Sequence, residues 1–319
     1  MLKKISLKKI IISSAVLFTI LLLYLIPKND EFNITDTVSQ ELKYVEKEKT
    51  MQEIYLIDSN NYVARTKVII YEENTIEKVK EIIEILKIDG KNSSRIPNGF
   101  KAIIPADTIV KNIEKDNNIL KINFSKELLE TENEEKLIEA LTYSLTSIDD
   151  IENIIIYVED KILNKLPKSK INLPSTLNKK IGINKEYDIK STNNIKDVTI
   201  YYVNKYNDNT YYVPVTKYLN DDREKIKIII EELSSYRTSN TNLMSYLNSN
   251  AKLLEANETI DKLDLNFNNY IFSSYDEQKI LEEVIYTIGL SVRENYNVKE
   301  VNILVDNKEV VKSVLNEIN

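Results

Sequence analysis

The chain has 319 residues, with 43 basic side chains against 50 acidic ones, no histidine, cysteine or tryptophan, and only four glycines. Without imidazole or thiol, a typical zinc site and any nucleophile activated by histidine are excluded. Without clustered glycines, neither G-x-G-x-x-G nor G-x-x-x-x-G-K can be built, and without cysteine each core must hold together with no disulfide.

The N-terminus reads as a membrane address. Lys3, Lys4, Lys8 and Lys9 precede Ile10–Ile26, an uncharged run of 17 residues ending at Pro27. As a helix it would span about 26 Å, near the lower limit for a bilayer. The lysine excess predicts a cytoplasmic N-terminus and extracytoplasmic domains, single-pass in the cell membrane. A cleaved signal peptide competes with this reading, but Tyr24–Asp30 offers no A-x-A-like site. Residues 1–27 are therefore assigned as an uncleaved transmembrane signal anchor. Setting aside the five lysines of residues 1–28 leaves 38 bases against 50 acids, a net charge of −12. Such a surface repels phosphate backbones, so no nucleic-acid partner is expected.

Residues 28–50 read as a linker. Glu53–Ile57 and Tyr62–Tyr71 form a predicted strand pair around the polar turn Asp58–Asn61. A helix follows over Thr75–Lys87, where Asn74 and Glu77 have capping-box spacing. After the loop Asp89–Asn98, a second strand pair is expected at Ile109–Glu114 and Ile119–Ser125, then a helix at Lys136–Leu145. Ile154–Val158 is apolar at every position, as suits a strand covered on both faces or one with a face left for a partner. Ile155 and Tyr157 are the candidate contacts on that face. A first domain is thus assigned to 51–163.

The connector, 164–196, continues a lysine-rich stretch. Lys161–Lys190 holds eight lysines against Glu186 and Asp188. A solvated linker explains this run; contact with an anionic wall polymer or lipid headgroups is the functional alternative.

The second domain, 197–319, repeats the first. Ile226–Leu233 matches Val79–Leu86, Leu263–Phe267 matches Leu120–Phe124, and Val301–Val305 matches Ile154–Val158. Lys279, Glu282 and Tyr286 align with Lys136, Glu139 and Tyr143. Asp221 with Glu224, and Ser274 with Glu277, have capping-box spacing, the latter opening a helix over Tyr275–Val292. Pro214 removes an amide donor, so Thr210–Val215 reads as an edge strand or a bulged one. Glu309–Asn319 reads as an amphipathic tail. Tyr201, Tyr202, Tyr206, Tyr211, Tyr212 and Tyr218 crowd one hairpin. They suit cross-strand pairing, or an aromatic patch for a glycan or protein partner.

Gly99, the stretch Ile104–Thr108, a strand turn, Ile122–Ser125 and the helix after it resemble the GerM domain. That family belongs to bacterial sporulation and germination proteins, where the domain commonly occurs in tandem. The resemblance covers about Glu53–Leu163 and, more degenerately, Val198–Val311. Leu173–Asn184 resembles the connector of tandem GerM proteins, while Ser249–Leu254 replaces the Ile104–Thr108 element in the second copy. The fold expected is α/β of the α+β type. Two tandem small domains would each be a mixed sheet with two helices packed on one face, resembling ring-building modules, after an N-terminal transmembrane helix.

No catalytic, metal or cofactor-binding residue is assigned. Asp149–Asp150, Glu159–Asp160 and Asp221–Asp222 are sequence neighbours, which diverge in strand or helix. Ser249–Lys252 satisfies S-x-x-K, but so does Ser6–Lys9, and neither K-T-G nor S-D-N follows. The expected function is non-catalytic binding or assembly in sporulation or spore germination. Its partners would be envelope or sporulation proteins or further copies of the chain. A cell-wall glycan-binding module using the tyrosine hairpin is the alternative, and a carboxylate-based wall hydrolase ranks below both.

Overall fold

The computed structural model describes residues 50–235, 242–274 and 278–314, with residues 8, 14–19 and 21 near the N-terminus. The chain divides into two units, Met1–Glu46 and Lys47–Asn319. In the first, residues 14–19 are helical, and the Thr19 hydroxyl donates to the Ala15 carbonyl at 2.9 Å. Most of the expected span Ile10–Ile26 and of the linker lies outside the described residues. Among the described residues no helix is long and apolar enough to cross a membrane.

The second unit opens with the hairpin β1 (Thr50–Asp58) and β2 (Val63–Ile70). Asp58 accepts from the amides of Asn60 and Tyr62 at 2.9 and 2.7 Å, which closes the turn as its side chain suits. In α1 (Thr75–Leu86), Asn74 accepts from the amides of Ile76 and Glu77, as expected of an N-cap. Val79, Ile82, Ile83 and Leu86 form its buried stripe. The chain continues through β3 (Phe100–Lys101), β4 (Val110–Asp116), β5 (Ile119–Phe124), α2 (Glu134–Leu145), β6 (Asn153–Val158) and β7 (Lys161–Ile162). A short strand of the connector, β8 (Glu186–Asp188), precedes the second copy. That copy comprises β9 (Ile195–Tyr206), β10 (Asn209–Asn220), α3 (Lys225–Ser235), β11 (Leu253–Glu258), β12 (Lys262–Phe267), α4 (Glu282–Asn295), β13 (Glu300–Val305) and β14 (Lys308–Val314).

The α+β character and the tandem organisation follow the expectation, but the sheets are divided differently. The strands of each copy do not form one sheet. β4-β5-β6-β7 and β11-β12-β13-β14 are separate four-stranded sheets, while the two opening hairpins join in a six-stranded sheet, β3-β1-β2-β10-β8, with β9 on β10. Helix α2 therefore packs against β1 and β2 as well as β6. Burial on both sides explains why Leu137, Leu141, Tyr143, Ser144 and Leu145 are all inaccessible.

The two copies meet as equivalents. The Tyr55 amide donates to Ser144 Oγ at 2.8 Å, and the Tyr201 amide donates to Ser291 Oγ at 2.9 Å. β2 pairs antiparallel with its counterpart β10 at Arg65 and Tyr212, as a two-fold relation between the copies requires. These bonds also correct the helix alignment. From Phe124 to Ser144 is 20 residues, but from Phe267 to Ser291 is 24, so Tyr143 corresponds to Leu290 and not to Tyr286. A slip of four residues is close to one helical turn, so the apolar pattern alone could not detect it.

Further departures have local causes. Helix α4 begins at Glu282, because Ser274 forms a β-bridge with Lys279; its expected partner Glu277 lies outside the described residues. Asp221 binds the Arg223 side chain and amide instead of capping α3. The expected tail contains β14, paired antiparallel with β13. Pro214 sits neither on an edge nor at a bulge, since β9 runs unbroken along β10. It falls where the other side of β10 changes partner from β2 at Tyr212 to β8 at Lys217. Asn184 fills that gap, donating to the Pro214 and Val63 carbonyls at 2.7 and 2.8 Å.

Candidate functional site

The tyrosine hairpin lies largely in the seam between the copies. Tyr201 and Tyr202 are inaccessible, and Tyr211 is buried. The Tyr211 hydroxyl donates to Asp58 Oδ2 at 2.9 Å, and its ring meets Phe100 edge-on with centroids 4.9 Å apart. Tyr206 covers Gly99, which glycine suits twice over: its φ is +93°, and a Cβ there would lie 2.4 Å from the ring. Tyr212 is half-buried and stacks on Tyr286 at 5.4 Å. Sequence reasoning located the aromatic cluster; the structure shows that the first repeat covers much of it.

Beneath these rings is a buried charge cluster that the sequence reading missed. Glu53 accepts from Arg65 Nε at 2.7 Å, from Arg293 of the second copy at 2.9 Å, and from the Tyr55 hydroxyl at 2.7 Å. The Tyr55 proton is thereby used, so Tyr201, 2.8 Å away, is the donor in the contact between the two hydroxyls. Burial alone would raise the Glu53 pKa, but Arg65 and Arg293 hold its carboxyl well below the usual carboxylate range. Burial, followed by nearby carboxylates, pushes both tyrosine hydroxyls up. The available signal was one acid within the apolar strand Glu53–Ile57 and one arginine in the facing strand.

Ile155 and Tyr157 are placed differently. Ile154 and Ile156 turn inward and are buried, whereas Ile155 and Tyr157 are half-buried on the outer face of the first four-stranded sheet. The register sets Ile119 beside Asn153, Lys121 beside Ile155 and Asn123 beside Tyr157, with Ile162 opposite Tyr157 on β7. A shallow cleft of about 200 Å³ adjoins Tyr157, bordered by Glu114, Lys121 and Asp160.

The second repeat provides an internal comparison. Its matching register places Lys262 beside Glu300, Asp264 beside Asn302 and Asn266 beside Leu304. There the polar groups bind one another: Lys262 and Asn302 donate to Asp264 at 2.9 and 2.8 Å, and Lys312 pairs with Glu300 at 2.8 Å. One tie is shared by both sheets. Asn123 donates to Asp160 at 2.6 Å, and Asn266 to Asn307 at 2.7 Å, fastening the turn after each central strand. The asparagines are therefore structural, and the sheets differ in Ile119, Ile155 and Ile162.

The adjacent carboxylates Glu159 and Asp160 hold different partners. Glu159 binds Lys111 at 2.5 Å and the Lys126 amide at 3.0 Å, while its neighbour Asp160 holds Asn123. Among the described residues no group of three or more candidate ligands could hold a metal ion.

Comparison with known proteins agrees with this architecture. The family described as "Germane: Sporulation and spore germination" matches the chain twice, over residues 53–164 and 199–311. The spore germination protein GerM of Bacillus subtilis (strain 168) is 33% identical over 230 residues, which cover 69% of this chain. The match spans 62% of that relative's length. The solved tandem GerMN domains of the sporulation protein GerM from Bacillus subtilis superpose with a TM-score of 0.75 at 28% identity, covering 82% of this chain and 92% of that one. With both repeats matched and the tandem arrangement shared, the chain belongs to the Germane family of sporulation and spore germination proteins.

Proposed function

We propose that this chain is a membrane-tethered, extracytoplasmic assembly protein of sporulation or germination that works by binding, without catalysis. Its docking surface is the outer sheet face around Ile155 and Tyr157, and its partner is another envelope protein. The observation that carries this reading is the asymmetry between repeats. At matching positions the first sheet presents Ile119, Ile155 and Ile162, whereas the second presents Lys262, Asn302 and Glu309, with Lys262 and Asn302 both bound to Asp264. Contact surfaces of this kind combine an apolar centre with a polar rim. The rim here carries Glu114, Asp116 and Asp160 against Lys121, which suits a partner with a basic border.

The test places a photo-crosslinking side chain at position 155 or 157 of the full-length chain in sporulating cells, with positions 302 and 304 as internal controls. Adducts with one defined envelope protein are expected from the first pair and none from the second. Equal adducts from both pairs, or none from either, would overturn the assignment.

The tether rests on the lysine-flanked run Ile10–Ile26. External protease added to protoplasts is expected to digest the domains. Protected domains, or a soluble form beginning near Lys28, would count against an anchor.

A further inference from the structure

A groove of about 600 Å³ lies between α2 and the connector, within the roughly 300–1,000 Å³ range of ligand pockets. Its floor is aliphatic, formed by Ile138 of α2 with Leu173 and Ile181 of the connector. One wall is Tyr187 of β8. That ring is 65% exposed yet lies on Tyr218 of β10, with centroids 5.0 Å and planes 14° apart. Two features hold the stack in place. β8 pairs in register with β10 at these residues, and Gly182, at φ +75°, lets the connector pass where a Cβ would lie 2.6 Å from the Tyr218 hydroxyl. A large aromatic already ordered in solvent loses little freedom when a ligand covers it.

The chemistry around this platform narrows the ligand class. Asn172 supplies an amide at the rim, while the Asn178 side chain donates to Asn153 at 2.9 Å and accepts from the Lys180 amide at 3.0 Å, which leaves it one N–H and one lone pair for a ligand. Lys185 is committed to Glu139 at 2.8 Å, and Lys180 shares the rim with Glu135, so local charge is balanced. That balance gives a polyanion no net attraction at the lining. An extended peptide would need a row of backbone partners, but the strand here, Glu186–Asp188, is three residues long. An aromatic face, amide edges and an aliphatic floor suit a ring with an apolar face, a hydroxylated edge and methyl-bearing substituents.

We propose that this groove binds a short, neutral, N-acetylated oligosaccharide. One pyranose ring stacks on Tyr187, its hydroxyl and amide groups meet Asn172 and Asn178, and an acetyl methyl rests on the aliphatic floor. The connector is thereby part of a binding site, and of the tyrosines crowded on the second hairpin only Tyr218 contributes. This proposal stands apart from the docking face, which uses different residues.

The test titrates the detergent-solubilised full-length chain with the tetramer of N-acetylglucosamine, followed calorimetrically. Saturable binding is expected. It should weaken by about tenfold or more in Tyr187→Ala and measurably in Asn172→Ala, persist in Tyr187→Phe, and be unchanged in Tyr157→Ala on the outer sheet face. Melting temperatures matching wild type would show that the exposed-site variants remain folded. The proposal is overturned by no saturation up to about 10 mM, by unchanged affinity in both Tyr187→Ala and Asn172→Ala, or by tighter binding of polyphosphate than of the neutral tetramer.

Discussion

Glu53→Gln is expected to be the most destabilising single polar substitution in the second unit. The side chains of Glu53, Arg65 and Arg293 are 11%, 5% and 20% exposed, so removing the carboxylate leaves two guanidinium groups facing each other with little water. Breaking a buried pair by removing one partner costs about 3–5 kcal/mol. At about 2–4 °C per kcal/mol for domains of this size, melting should fall by on the order of 10 °C. The exposed pair Glu77–Lys80 is the control, and Glu77→Gln should leave the melting temperature unchanged. The pH dependence has a definite sign. Because the folded-state pKa of Glu53 lies below its ordinary 4.5, its stabilisation is present above that value and is lost as pH falls toward the folded-state pKa. The difference between wild type and Glu53→Gln should therefore persist at neutral pH and narrow only in strong acid. Equal melting of the two at pH 7 would show that the cluster contributes nothing.

The two repeats are expected to melt together, in one transition, despite their separate cores. The seam mixes the copies at several levels. Ala64 of β2 packs in the second core, Arg293 reaches Glu53, Asn204 and Tyr211 donate to Asp58, and Asn184 ties β2 to β10. Fragments 51–163 and 196–319 would each expose part of this surface. The loss is roughly 1.5–3 kcal/mol for a large side chain fully uncovered and a fraction of that for one partly uncovered, and Tyr201, Tyr211 and Phe100 each lose a contact across the seam. Each fragment alone should melt below the intact chain, and mixing them should recover part of the difference. Calorimetry of the intact chain decides the matter. Two resolved transitions, or fragments that keep the full melting temperature, would show that the seam is only a contact between independent domains.

Much of this architecture was legible as periodicity. Alternating Leu120–Phe124 and Leu263–Phe267, helical spacing in Val79–Leu86, and the Asn74 cap are dictated by contacts within a turn or a strand, so the sequence determined those elements and their duplication. The inward turn of Ile154 and Ile156 follows from the same two-residue period. What a local pattern cannot carry is the identity of the distant partner. The division of each copy between two sheets, the joining of β2 to β10, and the one-turn slip in α4 depend on contacts more than a hundred residues apart or on a shift that preserves helical faces. Glu53, Asp58 and Asn184 were invisible for the same reason, since each is an ordinary polar residue until the second copy closes over it. The tyrosines of β9 and β10 show the limit most directly. Their abundance was written in the sequence, but only the tertiary structure decided that Tyr201, Tyr202 and Tyr211 face inward, because burial depends on what the rest of the chain brings against a surface.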